Sequence, residues 1–200
     1  MAESSVTKSV MWSAVERFST IGIQFILNII IARILSPSDY GIIGMLTIFL
    51  SISQCLIDSG FSTALVQSKD RQEKDYGTVF VFNLIISVFV YLILYVSAPA
   101  ISRFYQQDIL VSVLRVVGLN LIISSISNVH RAILIIKIDF KQQSFVSIPS
   151  ALVSGIVGVI MAHNGFGVWA LVGQTITNGF ITTLLFWVLS KEKFRIVFDM

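Results

Sequence analysis

The chain has 200 residues, 55% of them hydrophobic and 12% charged, with a formal net charge of +3 and a mean hydropathy of +0.86. A soluble domain of this size keeps a charged surface, so this composition excludes one and points to a polytopic membrane protein. With Cys55 as the sole cysteine, an intramolecular disulfide and a Cys-based metal cluster are excluded as well.

Six apolar runs follow one another and predict helices over 9–35, 40–64, 77–97, 109–136, 143–162 and 167–190. Each is about 20 residues or longer, enough to cross ~30 Å of hydrocarbon at ~1.5 Å per residue. The bases between them alternate in density. Lys8 precedes the first run, Lys69, Arg71 and Lys74 separate the second from the third, Lys137 and Lys141 the fourth from the fifth, and Lys191, Lys193 and Arg195 follow the sixth. The opposite side has only Arg33 and Arg103. By the positive-inside rule, both ends of this segment are expected in the cytoplasm. The first run is interrupted by Glu16 and Arg17 and leads into Ser36-Pro37-Ser38-Asp39-Tyr40, so it reads as a span rather than a cleavable signal. The sequence pI of 9.1 follows from these loop bases and argues for orientation, not for nucleic acid as a partner. Trp12 and Trp187 near inner ends, with Tyr40, Tyr105 and Trp169 near outer ends, suit interfacial aromatic belts.

Connections of about a dozen residues or fewer leave no room for a folded extramembrane domain. The chain lacks GxxxxGK[ST], HExxH, GxSxG and a strand-linked GxGxxG. An ATPase and a soluble-type hydrolase are therefore excluded, no cofactor is implied, and activity is expected inside the helix bundle.

Polar side chains in lipid are costly, so their angular positions reveal shielded helix faces. On the first helix Ser9, Ser13, Glu16, Arg17, Thr20, Gln24 and Asn28 fall within an arc of roughly 120° at ~100° per residue. Thr47, Ser51, Gln54, Asp58 and Ser62 form a narrower stripe on the second helix. Asn120, Ser124, Ser127, Asn128 and Arg131 form one on the fourth. The third and sixth have weaker stripes, Asn83, Ser87 and Tyr91, and Gln174, Thr177, Asn178 and Thr182. Interhelical hydrogen bonding accounts for isolated Ser and Thr. A water-accessible cavity better explains stripes that run several turns and carry formal charge. On the fifth helix Ser147, Ala151, Ser154, Gly155, Gly158 and Ala162 form a small-residue packing face, and Pro149 is expected to kink the helix.

Glu16, Arg17, Asp58 and Arg131 all fall about 7–10 Å inside the inner boundary, with His130 beside them, and Arg115 at a similar depth from the outer one. Arg17 with Asp58 and Arg131 with Glu16 are the expected pairs, because an unpaired carboxylate in hydrocarbon is costly. Snorkelling to headgroups is the simpler account of Arg33 and the competing account of Arg17 and Arg131. His130 has no second His or Cys at metal-ligand spacing.

Five runs carry a family resemblance: ARILSPSDYG (32–41), DSGFSTALVQ (58–67), TVFVFN (78–83), HRAIL (130–134) followed by Phe140-Lys141, and GFGVWALV (165–172). Together they resemble the N-terminal half of bacterial polysaccharide flippases of the multidrug/oligosaccharidyl-lipid/polysaccharide exporter superfamily, closest to the colanic acid exporter type. The resemblance implies an all-α inner-membrane protein in which six transmembrane helices, residues 1–190, form one lobe of a two-lobe fold. Residues 191–200 would be a cytoplasmic linker to a missing C-terminal lobe. It further implies translocation of an undecaprenyl-diphosphate-linked oligosaccharide by alternating access, and not an enzyme. Partners are then the lipid-linked oligosaccharide, membrane lipid and polysaccharide assembly machinery.

Arg17, Arg115 and Arg131 are the candidate partners of a diphosphate. Glu16, Gln24, Asn28, Asp58, Asn120, Gln174 and Asn178 complete the candidate cavity. A cation-coupled multidrug exporter of the same superfamily would instead use Asp58 and Glu16. An assembly fragment without transport activity would use none of them. A membrane polymerase would call for a sizeable outer loop, which the sequence lacks.

Overall fold

The computed structural model describes residues 2–58, 73–136 and 140–189. These residues form six helices: α1 (Ala2–Ile34), α2 (Pro37–Asp58), α3 (Glu73–Tyr105), α4 (Ile109–Ile136), α5 (Phe140–His163) and α6 (Val168–Leu189). There is no strand among the described residues. All six contain a stretch long and apolar enough to cross a membrane. The expected ends of the second helix, the sixth helix and the 191–200 linker lie outside the described residues.

α1, α3 and α5 begin earlier than expected, at Ala2, Glu73 and Phe140 rather than at 9, 77 and 143. Two further helix ends depart from the sequence expectation for reasons the local structure shows. α2 begins at Pro37 rather than Tyr40 because Ser36 caps it. Ser36 N–H donates to Asp39 Oδ2 (3.0 Å), its hydroxyl lies 2.7 Å from the same oxygen, and Asp39 N–H donates back to Ser36 Oγ (3.3 Å). That is a capping box with proline at the first helical position, where its missing N–H costs nothing. α3 runs past Ser97 to Tyr105 with Pro99 inside it. Proline deprives the Tyr95 carbonyl of its partner, yet ending a helix within hydrocarbon would strand several groups instead of one. The helix stops only where Gln106 adopts a left-handed φ of 55° and Gln107 N–H reaches back to the Ser102 carbonyl (3.1 Å). α5 closes the same way, with Gly165 at φ 78° and Phe166 N–H on the Met161 carbonyl (3.2 Å).

Packing gives the helices alternating directions. α3 lies antiparallel to α4, where Ser87 and Ser125 hydroxyls meet at 3.0 Å and the Tyr91 hydroxyl donates to the Arg115 carbonyl (3.2 Å). The weak α3 stripe is thus interhelical glue. α1 runs parallel to α5, with Leu27 against Gly155 and Ile31 against Gly158, so the small-residue face of α5 seats α1. α6 covers the next face of α5, Gly173 receiving Met161. A core of Ile42, Leu46, Ala98, Leu110, Val113, Leu114, Val168 and Val172 ties α2, α3, α4 and α6 together at one end. There the α1–α2 and α5–α6 turns meet: Asp39 Oδ1 lies 3.1 Å from where a Cβ on Gly167 would sit. With φ at +56°, that position suits glycine on two counts. Two of the runs that carry the family resemblance therefore touch in space.

α1 is the least buried span. Only 6% of its most apolar window is covered, and Phe18 and Phe25 are 78% and 65% exposed. Lipid, or protein beyond these helices, is the environment such a surface requires.

Candidate functional site

The polar faces of α1, α4, α5 and α6 converge on two adjoining recesses. The first, of about 300 Å³, is lined by Glu16, Thr20 and Gln24 of α1, by Asn120, Ser124, Ser127, Asn128 and Arg131 of α4, by Ser147 of α5, and by Asn178, Gly179 and Thr182 of α6. The second, of about 290 Å³, is lined by Gln24, Asn28, Asn120, Ser154, Gln174, Thr175 and Asn178. Gln24, Asn120 and Asn178 border both. On α1 the track runs from Glu16 to Asn28, about 18 Å at ~1.5 Å per residue, more than half the hydrocarbon thickness.

The hydroxyls in this track are mostly spoken for. Thr20 donates to the Glu16 carbonyl (2.7 Å), Ser124 to that of Asn120 (2.6 Å), Ser127 to that of Ser124 (2.9 Å), and Thr175 to that of Leu171 (2.9 Å). Bonding to their own helices lets them sit in a membrane at little cost. The groups with capacity to spare are the amides and charges. Gln174 Nε2 reaches Asn28 Oδ1 at 3.4 Å and Asn178 Nδ2 donates to Ser154 Oγ at 3.1 Å, each using one of several donor and acceptor sites. Asn120 presses its amide oxygen onto Gly179, which has no side chain to obstruct it. That oxygen is buried without a hydrogen bond.

Of the residues singled out from sequence, Glu16, Gln24, Asn28, Asn120, Arg131, Gln174 and Asn178 are brought together here. Glu16 and Arg131 border the same recess, but among the described residues neither closes an ion pair within 4.0 Å. Arg17, about 100° from Glu16, turns onto a different surface and shares a recess with Ser13, Ala14, Phe18, Ile21 and Phe140. Arg115 faces α3, its guanidinium 4.1 Å from the Tyr95 ring centroid, a cation–π contact on the side of α4 away from the track. The Asp58 side chain and Ser62 lie outside the described residues, so the Arg17–Asp58 pairing does too. On α2, Thr47 and Ser51 are exposed and neither lines the recesses.

Ser147 and Ser154 were grouped with the α5 packing face, yet both line the track. Gly155 and Gly158 face α1 and α6, whereas Ser154 is turned ~100° from Gly155. Gly179 carried no signal except its place beside Asn178. His130 is buried with its ring 5.2 Å from that of Trp187. Among the described residues, no cluster of three or more His, Cys, Asp or Glu could hold a metal ion.

Six membrane-length helices, four of which enclose an amide-rich recess, make this a multi-pass membrane protein whose polar chemistry lies in the bundle. Residues 30–200 match the model of the polysaccharide biosynthesis protein family, and the chain belongs to that family. It is 25% identical to the succinoglycan biosynthesis transport protein ExoT of Rhizobium meliloti over 98% of its own length and 40% of that protein's. It is 26% identical to the teichuronic acid biosynthesis protein TuaB of Bacillus subtilis, over 98% of this chain and 42% of TuaB. Identity to the lipopolysaccharide biosynthesis protein WzxC of Escherichia coli is 19%, over 92% of this chain and 37% of WzxC. The chain thus spans about two fifths of the length of these curated relatives. No solved structure matches it.

Proposed function

We propose that this chain forms part of the path by which an undecaprenyl-diphosphate-linked oligosaccharide crosses the bacterial inner membrane, by alternating access, for polysaccharide export. The observation that carries this reading is the continuous polar track from Glu16 and Arg131 to Asn28 and Gln174. A glycan presents hydroxyls that both donate and accept, and Asn and Gln amides answer both. A diphosphate calls for a guanidinium, and among the described residues Arg131 is the one that borders the track. The naming of ExoT as a transport protein supports transport over chemistry. In this reading Arg17 and Arg115 anchor the lobe, and Glu16 tunes the charge beside Arg131. Deleting the gene should leave the lipid-linked precursor in the inner leaflet and strip the cell of the surface glycan. An unaltered surface glycan in the deletion strain overturns the proposal.

The same reading places both ends of the segment in the cytoplasm, on the warrant of the alternating bases. With Cys55 replaced by serine, a cysteine at Asn164, exposed in the α5–α6 turn, should react with a membrane-impermeant maleimide added to intact cells. A cysteine at Ser68 should react only after the membrane is opened. Equal labelling from outside defeats the orientation.

A further inference from the structure

The outward side of the α1–α5 seam carries a second constellation that the polar track does not use. A recess of about 450 Å³ lies there, lined by Ser13, Ala14, Arg17, Phe18, Ile21 and Phe140. Arg17 is exposed and is the sole charge among the described residues of this lining. Its recess partners Ser13 and Phe140 lie toward the starts of α1 and α5, so the recess follows the long arginine stem toward the membrane boundary. Because α1 and α5 run parallel, the first turn of α5 sits at that same end. There Lys141, also exposed, holds its ammonium 5.9 Å from the Trp12 ring centroid, and Trp12 in turn packs on Phe145 at 6.4 Å between ring centroids. Among the described residues neither base forms an ion pair.

Two exposed bases and an indole lie toward the starts of α1 and α5, beside an apolar recess along Ala14, Phe18 and Ile21. A snorkelling Arg17 can reach past that recess to the headgroups, and the set matches the chemistry of one molecule. We infer that this seam binds an anionic phospholipid of the bilayer, its phosphodiester held by Arg17 and Lys141 and an acyl chain laid along Phe18 and Ile21. The guanidinium offers a bidentate fork to the phosphate and the ammonium a point charge. An intercalated tryptophan suits the headgroup boundary. A zwitterionic lipid brings its own cation and gains less. The site is separate from the polar track, so it stands whether or not the proposed transport function does.

The test uses the chain purified in dodecyl maltoside, with bound lipid counted by native mass spectrometry. Dioleoyl-phosphatidylglycerol should be retained over dioleoyl-phosphatidylcholine by about twenty-fivefold, taking about fivefold per base. Arg17→Gln or Lys141→Gln alone should each reduce that preference about fivefold, and the double variant should bring it near parity. Arg17→Lys should keep most of it, which also guards against misreading a misfolded variant. Arg33→Gln, at the far end of α1, should leave it unchanged. Equal retention of the two lipids by the unaltered chain overturns the inference, as does a preference that survives the double variant. Tighter retention of undecaprenyl phosphate than of phosphatidylglycerol also overturns it, because the groove would then serve a polyprenyl chain.

Discussion

Replacing Arg131 with alanine is expected to lower surface-glycan export by about 10- to 100-fold while the protein still reaches the membrane. The figure is the ~1.5–3 kcal/mol of a charge-assisted hydrogen bond read as a rate or affinity ratio. Lysine at the same position should restore part of it, since a point charge keeps the attraction and loses the fork. Arg17→Ala and Arg115→Ala should export at close to the normal level, because one turns to the outer α1–α5 seam and the other onto Tyr95. Complementation of a deletion strain, normalised to membrane protein, separates these outcomes. If Arg131→Ala complements fully, Arg131 is a headgroup anchor and the track holds no anion. If Arg17→Ala fails as badly as Arg131→Ala, the assignment of the two arginines to different surfaces is wrong.

The second large effect is expected at Gly155. A Cβ there would run into the Leu27 side chain, whose Cγ and Cβ lie 3.0 and 3.2 Å from it, so even a flexible leucine cannot clear the space by moving its tip. Gly155→Val should therefore cost about 1–3 kcal/mol through overpacking and reduce accumulation of the protein several-fold. Adding Leu27→Ala should recover much of that loss, since the new methyls fill the vacated volume. Gly22, on the same helix as Leu27, has nothing within 4 Å of its would-be Cβ, and Gly22→Ala should be neutral or slightly stabilising through helix propensity. Membrane yield and detergent thermal stability, measured on the three variants and the parent, provide the check. A Gly155→Val protein as stable as the parent would show that α1 does not seat on α5 as described.

These expectations rest on information of two kinds. Hydrophobic run length is a local property, so six spans were legible from the chain, and so was the α1 stripe containing Glu16, Gln24 and Asn28. Cap chemistry was equally local. Ser36-Pro37-Ser38-Asp39 spells a helix start, and reading it as a connector misplaced the beginning of α2 by three residues. The end of α3 was harder, because proline normally argues for termination and here the apolar surroundings of Pro99 outweigh it.

What the sequence by itself determined was therefore the membrane class, the number of spans and the angle of each polar residue on its helix. Which neighbour occupies each angle was decided only by the tertiary structure. Glu16 and Arg17 are adjacent residues within one polar arc, yet α4, α5 and α6 enclose the first and leave the second on the outer seam. Ser154 and Gly155 are adjacent as well, one lining the track and the other seating Leu27. A helix turns ~100° per residue, so a one-residue step changes the facing partner. Burial and charge pairing depend on that partner, and the linear pattern does not record it.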